Sequence, residues 1–322
     1  MAKPTEWKEQ NNSDVMHLFL DHGILSVNDI TGHTGISHGC AVGIIQRLLQ
    51  EGKIIRTEDQ PSSGGRKSKR YMLNADYMQF GLLALECGEQ NYRIRASVYD
   101  LRGGHRYDRT HRSSEGSWTF VRRVIRAMLS ASSETGFLVL SIPGVCRDGF
   151  IDVCDFEGLS GMNLNNRIEK EFHIPCMMEN DINSAVIGLI HHHPEYQSAA
   201  LLYQPSSHYV GCGLMVNRTL YKGHTSFAGE LRYLPCYTHE EQDRMLKEDP
   251  QKLLLLQAET ITAVMNPELI GYCSDADDVT LSFEHSAIPE NHRPMLVKIT
   301  NLNEQIDAGL YRIGMKYIRS IV

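Results

Sequence analysis

No run of about 18 apolar residues, the length a membrane-spanning helix needs, occurs anywhere in this sequence. The best candidate, LLLLQAETITAVM from Leu253, is short and is broken by Glu259. The opening MAKPTEWKEQ lacks the apolar centre of a secretory signal, so a cytoplasmic protein with no membrane partner is expected. Eight cysteines (40, 87, 146, 154, 176, 212, 236 and 273) form no C-x-x-C pair. A disulfide framework or zinc knuckle is therefore not expected, and reduced, mostly buried thiols are. Excess positive charge is absent too. A net charge of −7 argues against a protein that coats nucleic acid indiscriminately.

What is present is uneven. At 322 residues, with 42% apolar and 22% charged, the chain suits a small domain followed by a larger bilobal one. Between Pro61 and Tyr71 there are four basic residues, Arg66, Lys67, Lys69 and Arg70, and no acid. A concentrated cationic patch on an acidic body is what a site-selective DNA binder needs.

The first 76 residues read as helix, helix, tight turn, helix and hairpin. Val15, Leu18 and Phe19 share one face of a helix that stops at Gly23. Ser26 sits where an N-cap opens a second helix, with Val27 and Ile30 inward, and Gly32 and Gly35 are expected to force the turn. Ser37 caps a third helix whose stripe is expected to be Val42, Ile45 and Leu49. Its other side carries His38, Gly39, Gly43, Gln46 and Arg47. The glycines permit close backbone approach, and His38 and Gln46 can hydrogen-bond to base edges. Lys53-Ile54-Ile55 and Tyr71-Met72-Leu73 read as strands around the flexible cationic tip SSGGRKSKR. This is the plan of a winged helix-turn-helix that binds double-stranded DNA, through Ser37, His38, Gly39, Gly43, Gln46, Arg47, Arg66, Lys67, Lys69 and Arg70. The competing reading is a three-helix protein-interaction module with a solvated basic loop.

Beyond a short joint, Asn74-Ala75-Asp76, strands alternate with helices and meet at Gly-rich corners, which implies an α/β body with a cleft. Two antiparallel strands flank Cys87-Gly88, FLVLSIPGV is a buried strand ending in a Pro-Gly loop, and a long helix runs from Leu302 to Ile321.

Four segments, SIPGV (141–145), ENDINSAVIG (179–188), LMVNRTLYKGHTSFAGE (214–230) and MNPELI (265–270), resemble the successive motifs of the ROK family (repressor, open reading frame, kinase). The resemblance runs from about Ser13 to the final helix. It implies a winged helix-turn-helix (1–76) before a bilobal, actin-like sugar-kinase body (77–322), with lobes of roughly 77–175 plus 303–322, and 176–302. It also implies control of sugar-use genes, a sugar or sugar derivative as effector, and a homo-oligomer, dimer or tetramer.

The family's phosphate-gripping loops are altered. Its Asp-x-Gly-Gly-Thr hairpin resembles Glu86-Cys87-Gly88-Glu89-Gln90 here, and its second Gly-rich loop resembles Ser207-His208-Tyr209-Val210-Gly211. The family's Gly-Gly pair by the adenosine resembles Gly271-Tyr272. A carboxylate facing a polyphosphate, and a Tyr where backbone should approach phosphate, disfavour ATP. No enzymatic activity and no cofactor are expected. The sugar side is better kept, and the resemblance assigns sugar contacts to Gly144, Asp155, Asn180, Asp181 and Glu230. Asn180 and Asp181 together donate and accept hydrogen bonds, which suits a polyol. Their alternative roles are a helix cap and a helix-dipole partner, and Glu230 could pair with Arg232. The family His after that Glu is Tyr233, and its Cys-rich zinc loop is replaced by PCYTHEEQDRM, so no structural zinc is expected. Consecutive His191, His192 and His193 point different ways on a helix, a poor chelate. Two alternatives to a sugar-sensing regulator remain: a ligand-blind DNA-binding dimer and an ATP-dependent sugar kinase that uses Asp181 as base.

Overall fold

The computed structural model describes residues 4–57, 68–88, 91–206, 210–276 and 278–322. Glu89, Gln90, Ser207, His208, Tyr209, Arg66 and Lys67 lie outside them.

The N-terminal unit holds α1 (Pro4–His22), β1 (Ile24–Ser26), α2 (Val27–Thr34), α3 (His38–Gln50), β2 (Ile54–Arg56) and β3 (Arg70–Leu73). Local chemistry sets its corners. Ser26 and Asp29 form a reciprocal capping box at the start of α2, and Gly35 closes it in the left-handed conformation (φ 71°) with its N–H on Thr31 O. Gly32, in contrast, lies inside α2 and forces no turn. Ser37 caps α3 by accepting from Cys40 N–H at 3.3 Å. The buried stripe of α3 is Ala41, Ile44, Ile45 and Leu48, not Val42, Ile45 and Leu49; Leu49 is exposed. The helix is rotated because two adjacent ridges, reaching back to Ala41, cover more apolar surface than a single-file seam. An extra strand, β1, joins the hairpin, giving an antiparallel sheet of order β1-β3-β2 with Met72 paired to both Ile24 and Ile55.

The body begins with β4 (Gln79–Cys87), β5 (Tyr92–Asp100), β6 (His105–Ser113), α4 (Trp118–Ala131) and β7 (Thr135–Ile142). Next come β8 (Gly144–Arg147), β9 (Phe150–Cys154), β10 (Met162–Asn163), α5 (Leu164–Phe172), β11 (Cys176–Asn180) and α6 (Asp181–His192). The chain continues through β12 (Ala199–Gln204), β13 (Gly211–Val216), β14 (Thr219–Leu220), α7 (His239–Glu248) and α8 (Pro250–Met265). It ends with β15 (Leu269–Ser274), β16 (Met295–Lys298) and α9 (Leu302–Ile321). Two five-stranded mixed sheets result, β11-β7-β4-β5-β6 and β14-β13-β12-β15-β16. Strand β11 runs parallel to β7 in the first sheet, so the lobes meet at 180–181 and not at 176. Its Cys-Met-Met segment is apolar enough to lie beside β7, which a boundary drawn at 176 overlooks. No described helix is long and apolar enough to cross a membrane.

Helices α6 and α9 pack against each other between the sheets. Their backbones nearly touch: a methyl group at Gly309 would sit 1.8 Å from Ser184 O, and one at Gly188 would sit 2.0 Å from Gln305 O. One apolar cluster runs from Val15, Phe19 and Ile30 in the N-terminal unit through Leu101 and Phe80 to Leu310 and Ile318 of α9. Burying each such side chain contributes roughly 2 kcal/mol. Polar ties accompany it: His17 Nε2 donates to Arg319 O at 2.9 Å, and Arg319 pairs with Asp21, whose carboxyl it holds below the usual range.

The helix crossing generates a prediction. Gly309→Ala should destabilise the protein by about 2–3 kcal/mol, because a rigid backbone carbonyl, and not a flexible side chain, blocks the added methyl. Urea denaturation of the variant beside the parent checks it; a midpoint unchanged within error would mean that the helices can move apart at no cost.

Candidate functional site

Two surfaces carry candidate residues. On the N-terminal unit, α3 exposes His38, Gly39, Gly43 and Gln46 at successive turns, with Arg47 half-buried. Ser37 is exposed; its Oγ accepts from Cys40 N–H and so positions α3, while its O–H stays available to donate. Lys69 is exposed and Arg70 half-buried where β3 begins, next to Ser26. Cys40 is also exposed on α3 beside Gly39. Sequence reading passes over it because a small thiol has no helical-face signature.

The second surface lies where β11 hands over to α6. Asn180 accepts from the Ile182 and Asn183 N–H groups (2.9 and 3.0 Å) and donates to Gly144 O at 3.0 Å. That leaves one amide N–H for a ligand, so the Asn is first a brace between the loop and the helix. Asp181 follows in the first turn, where it accepts from Ile182 N–H at 2.9 Å. Burial pushes its carboxyl up to about 7; the Ile182 N–H pulls the other way, and Asp155 adds to the rise. Asp155 is exposed, and its N–H donates to Pro143 O at 3.0 Å, which sets it beside the Pro143-Gly144 loop.

Glu230 reaches this region from the other lobe. A methyl at Gly213 would meet Ile182 O at 2.6 Å, and one at Gly229 (φ 95°) would meet Cys212 O at 2.1 Å. The turn holding Glu230 is thus fixed one residue along β13 from the start of α6. Its half-buried carboxyl is raised by burial and has no hydrogen-bond or ion-pair partner among the described residues. Arg232 pairs with Asp243 at 3.3 Å, an acid on α7, and not with Glu230.

Glu179 and Lys222 carry no mark that sequence reading recognises. Glu179, 8% exposed, accepts from Asn180 N–H and Asn183 Nδ2 and pairs with Lys222 Nζ at 3.0 Å. Lys222 follows β14, and its carbonyl accepts from Ala228 N–H, so this pair fastens the Glu230 loop to β11. The one available signal is the acid opening the Glu-Asn-Asp run. Tyr233 is 60% exposed and contacts Phe227 and His239, with ring centroids 5.1 and 5.3 Å away. His192 bonds to Gln305, whereas His193 faces Glu195, so the histidines diverge. A groove of about 720 Å³ opens elsewhere, lined by Arg95, Tyr99, His192, Asp307 and Tyr311. It includes neither Asp181 nor Glu230, and Arg95 and Asp307 on its walls neutralise each other.

The strand-to-helix junction between the two mixed sheets thus holds an acid whose pKa is raised to about 7, an acid without a described partner and a braced amide. The sequence pattern of the ROK family matches residues 83–242. The chain carries a ROK family domain. A xylose repressor from Bacillus spizizenii is 21% identical over 246 residues, 73% of this chain and 62% of the repressor. The match therefore spans under two thirds of that relative's length. Among solved structures, a ROK family transcriptional regulator homologous to E. coli Mlc superposes with a TM-score of 0.66 at 16% identity, over 95% of this chain and 96% of its own. A Listeria monocytogenes protein described as a candidate N-acetylmannosamine kinase gives 0.59 at 14% identity, over 74% of this chain and 100% of its own. These likenesses place the chain, with its ROK family domain, in a mixed α/β, sugar-kinase-like fold. The regulator's extends over nearly the whole chain.

The raised Asp181 carboxyl makes stability depend on pH. An Asp that holds its proton longer in the folded state than in the unfolded one lowers stability as pH rises from about 4 to 7, and the penalty is complete above 7. Asp181→Asn, which keeps an acceptor for Ile182 N–H, should flatten that decline and be more stable than the parent at pH 8 but not at pH 4. Urea melts at the two pH values test this; equal gains at both would remove the titration from the account.

Proposed function

We propose that this ROK chain is a sugar-responsive transcriptional regulator, a repressor that binds DNA through its N-terminal unit and a sugar or sugar derivative in the cleft. The N-terminal unit is read as a winged helix-turn-helix, with α3 in the major groove and Lys69 and Arg70 at the root of a cationic wing. The observation that carries the reading is the exposed α3 face. His38, Gly39, Gly43 and Gln46 stand free of the body on a helix whose entry is fixed by the Ser37 cap. Xylose repressor relatives and the regulator-type neighbour support it.

In the cleft, Asp181 and Glu230 accept sugar hydroxyls, the remaining Asn180 N–H donates to one, and Gly144 and Asp155 border the ring. The body is read as a sensor and not an enzyme. Its high-pKa Asp181 would suit a general base, but the altered residues in both phosphate loops disfavour the nucleotide such a base would serve. Ligand binding biases the closure of two lobes that Glu179 and Lys222 already fasten together, and α9 carries the change to the head. Paired heads in a homodimer would then fit two half-sites more or less well. Direction of control follows from the repressor relatives alone.

The test is selection of a DNA site from a random pool, followed by anisotropy titration with pentoses, hexoses and amino sugars, each with and without Mg-ATP. One sugar should shift DNA affinity about tenfold or more, independently of ATP. Asp181→Asn and Glu230→Gln should abolish that shift while leaving sugar-free DNA affinity unchanged. Gln46→Ala should cost about 1–3 kcal/mol of site preference. DNA binding with no response to any sugar would establish a ligand-blind regulator, and sugar-dependent ATP consumption would establish a kinase.

A further inference from the structure

Strand β6 forms an outer edge of the first sheet and is unusual for a chain of net charge −7. Its nine residues, HRYDRTHRS, include three arginines, two histidines and a single acid, Asp108, and none of them is fully buried. Arg106 is neutralised by Asp100 and Asp76. Arg109 and Arg112 have no carboxylate partner among the described residues. Arg109 lies over the Tyr107 ring, 6.0 Å from its centroid. On the neighbouring helix α4, Arg123 stacks over Phe120 at 5.2 Å and donates to Arg112 O at 3.4 Å, also with no carboxylate among the described residues. The β5–β6 register puts Tyr107, Arg109 and His111 on the α4 side of the sheet and Arg112 on the other, so cations flank the rim on both sides. Their proximity registers on His111, whose proton is disfavoured by burial and then by Arg123 and Arg109.

One or two charges are enough to keep an edge strand from pairing with another copy, and Arg109 and Arg112 meet that need on β6 itself. Arg123, on α4, lies outside the strand and extends the same cationic surface, which favours an anion laid against it. The strand begins, moreover, at the head. Arg102, in the turn before β6, donates to Met72 Sδ of β3 at 3.0 Å, and β3 starts at Arg70. Cations thus run from Lys69 and Arg70 through Arg102 to Arg109, Arg112 and Arg123. A nine-residue strand extends about 30 Å, close to one turn of duplex DNA.

We propose that the β6 rim is a second DNA-contacting surface, on which Arg109, Arg112 and Arg123 engage backbone phosphates of duplex that runs past the segment read by the head. This rests on the reading of the head as a DNA binder. Contacts of this kind carry no base information; they add affinity and hold the duplex along the body. Among polyanions a long duplex fits best, because the cations form a line from Lys69 and Arg70 along β6 and not a closed pocket.

The test uses the full chain and two fluorescent duplexes of about 16 and about 40 base pairs, each carrying the site selected from the random pool or, if none emerges, mixed sequence at low salt, titrated at several salt concentrations. The combined Arg109→Gln, Arg112→Gln, Arg123→Gln variant should bind the long duplex about tenfold or more weakly than the parent. Its slope of log affinity against log salt should be shallower by about 2 to 3, with the short duplex little affected. Asp108→Asn should act in the opposite sense, tightening the long duplex severalfold, which guards against misfolding of the triple variant. Parental affinity and slope on the long duplex in both variants would overturn the rim while leaving the head's role intact. A parent that binds neither duplex would overturn both readings.

Discussion

The contact between α6 and α9 is the constraint on which the rest of the molecule depends. Two glycines, Gly188 and Gly309, bring helix backbones to a separation at which a single methyl would collide with a carbonyl. At that distance the helices have no freedom to slide independently, since interiors packed this tightly deform in discrete steps. One helix begins at the end of β11 with Asn180 and Asp181. The other ends against the head at Arg319. Whatever disturbs the first turn of α6 therefore displaces a unit that also bears on α1.

Electrostatics at the start of α6 suit binding and catalysis alike. Asp181 has the protonation behaviour a general base requires, through burial and the nearby Asp155. The same properties suit a residue that must shed or share a proton as a polyol hydroxyl arrives. Chemistry is decided by what stands opposite it, and the kinase fold supplies phosphate-holding backbone there. Glu89 and Tyr209 stand in the two stretches that resemble the family's phosphate loops, where a carboxylate and a bulky ring disfavour a polyphosphate. The fold alone would not distinguish the two outcomes, since regulators and kinases share it.

Local signals are legible in the sequence, and long-range ones much less so. Ser26, Gly35 and Ser37 act within four residues of themselves, so the amino-acid order alone reveals their caps and turn. The helix from Leu302 to Ile321 is legible for the same reason. Strand β1 is not, because three residues are too few to show a period. The stripe of α3 lies one residue away from the expected one, as periodicity fixes that a helix is amphipathic more firmly than which arc it buries. Strand β11 belongs to the lobe opposite the expected one, because pairing partners far apart in sequence leave no local mark. Asn180 is legible as polar and placed at a helix start, yet its two roles, brace and ligand donor, separate only when Gly144 is seen across from it. The Glu179–Lys222 pair lies 43 residues apart in sequence and is brought together only by the fold.

The ties between head and body have a consequence of their own. Beside the apolar cluster stand one imidazole-to-carbonyl hydrogen bond, one partly exposed ion pair and one arginine-to-sulfur contact. Each is a light fastening that a modest free energy can loosen. The apolar cluster shared by head and body therefore carries most of their attachment, and the polar ties add little to it. Changes within the shared apolar cluster, and not in the polar ties, are what would free the head from the body.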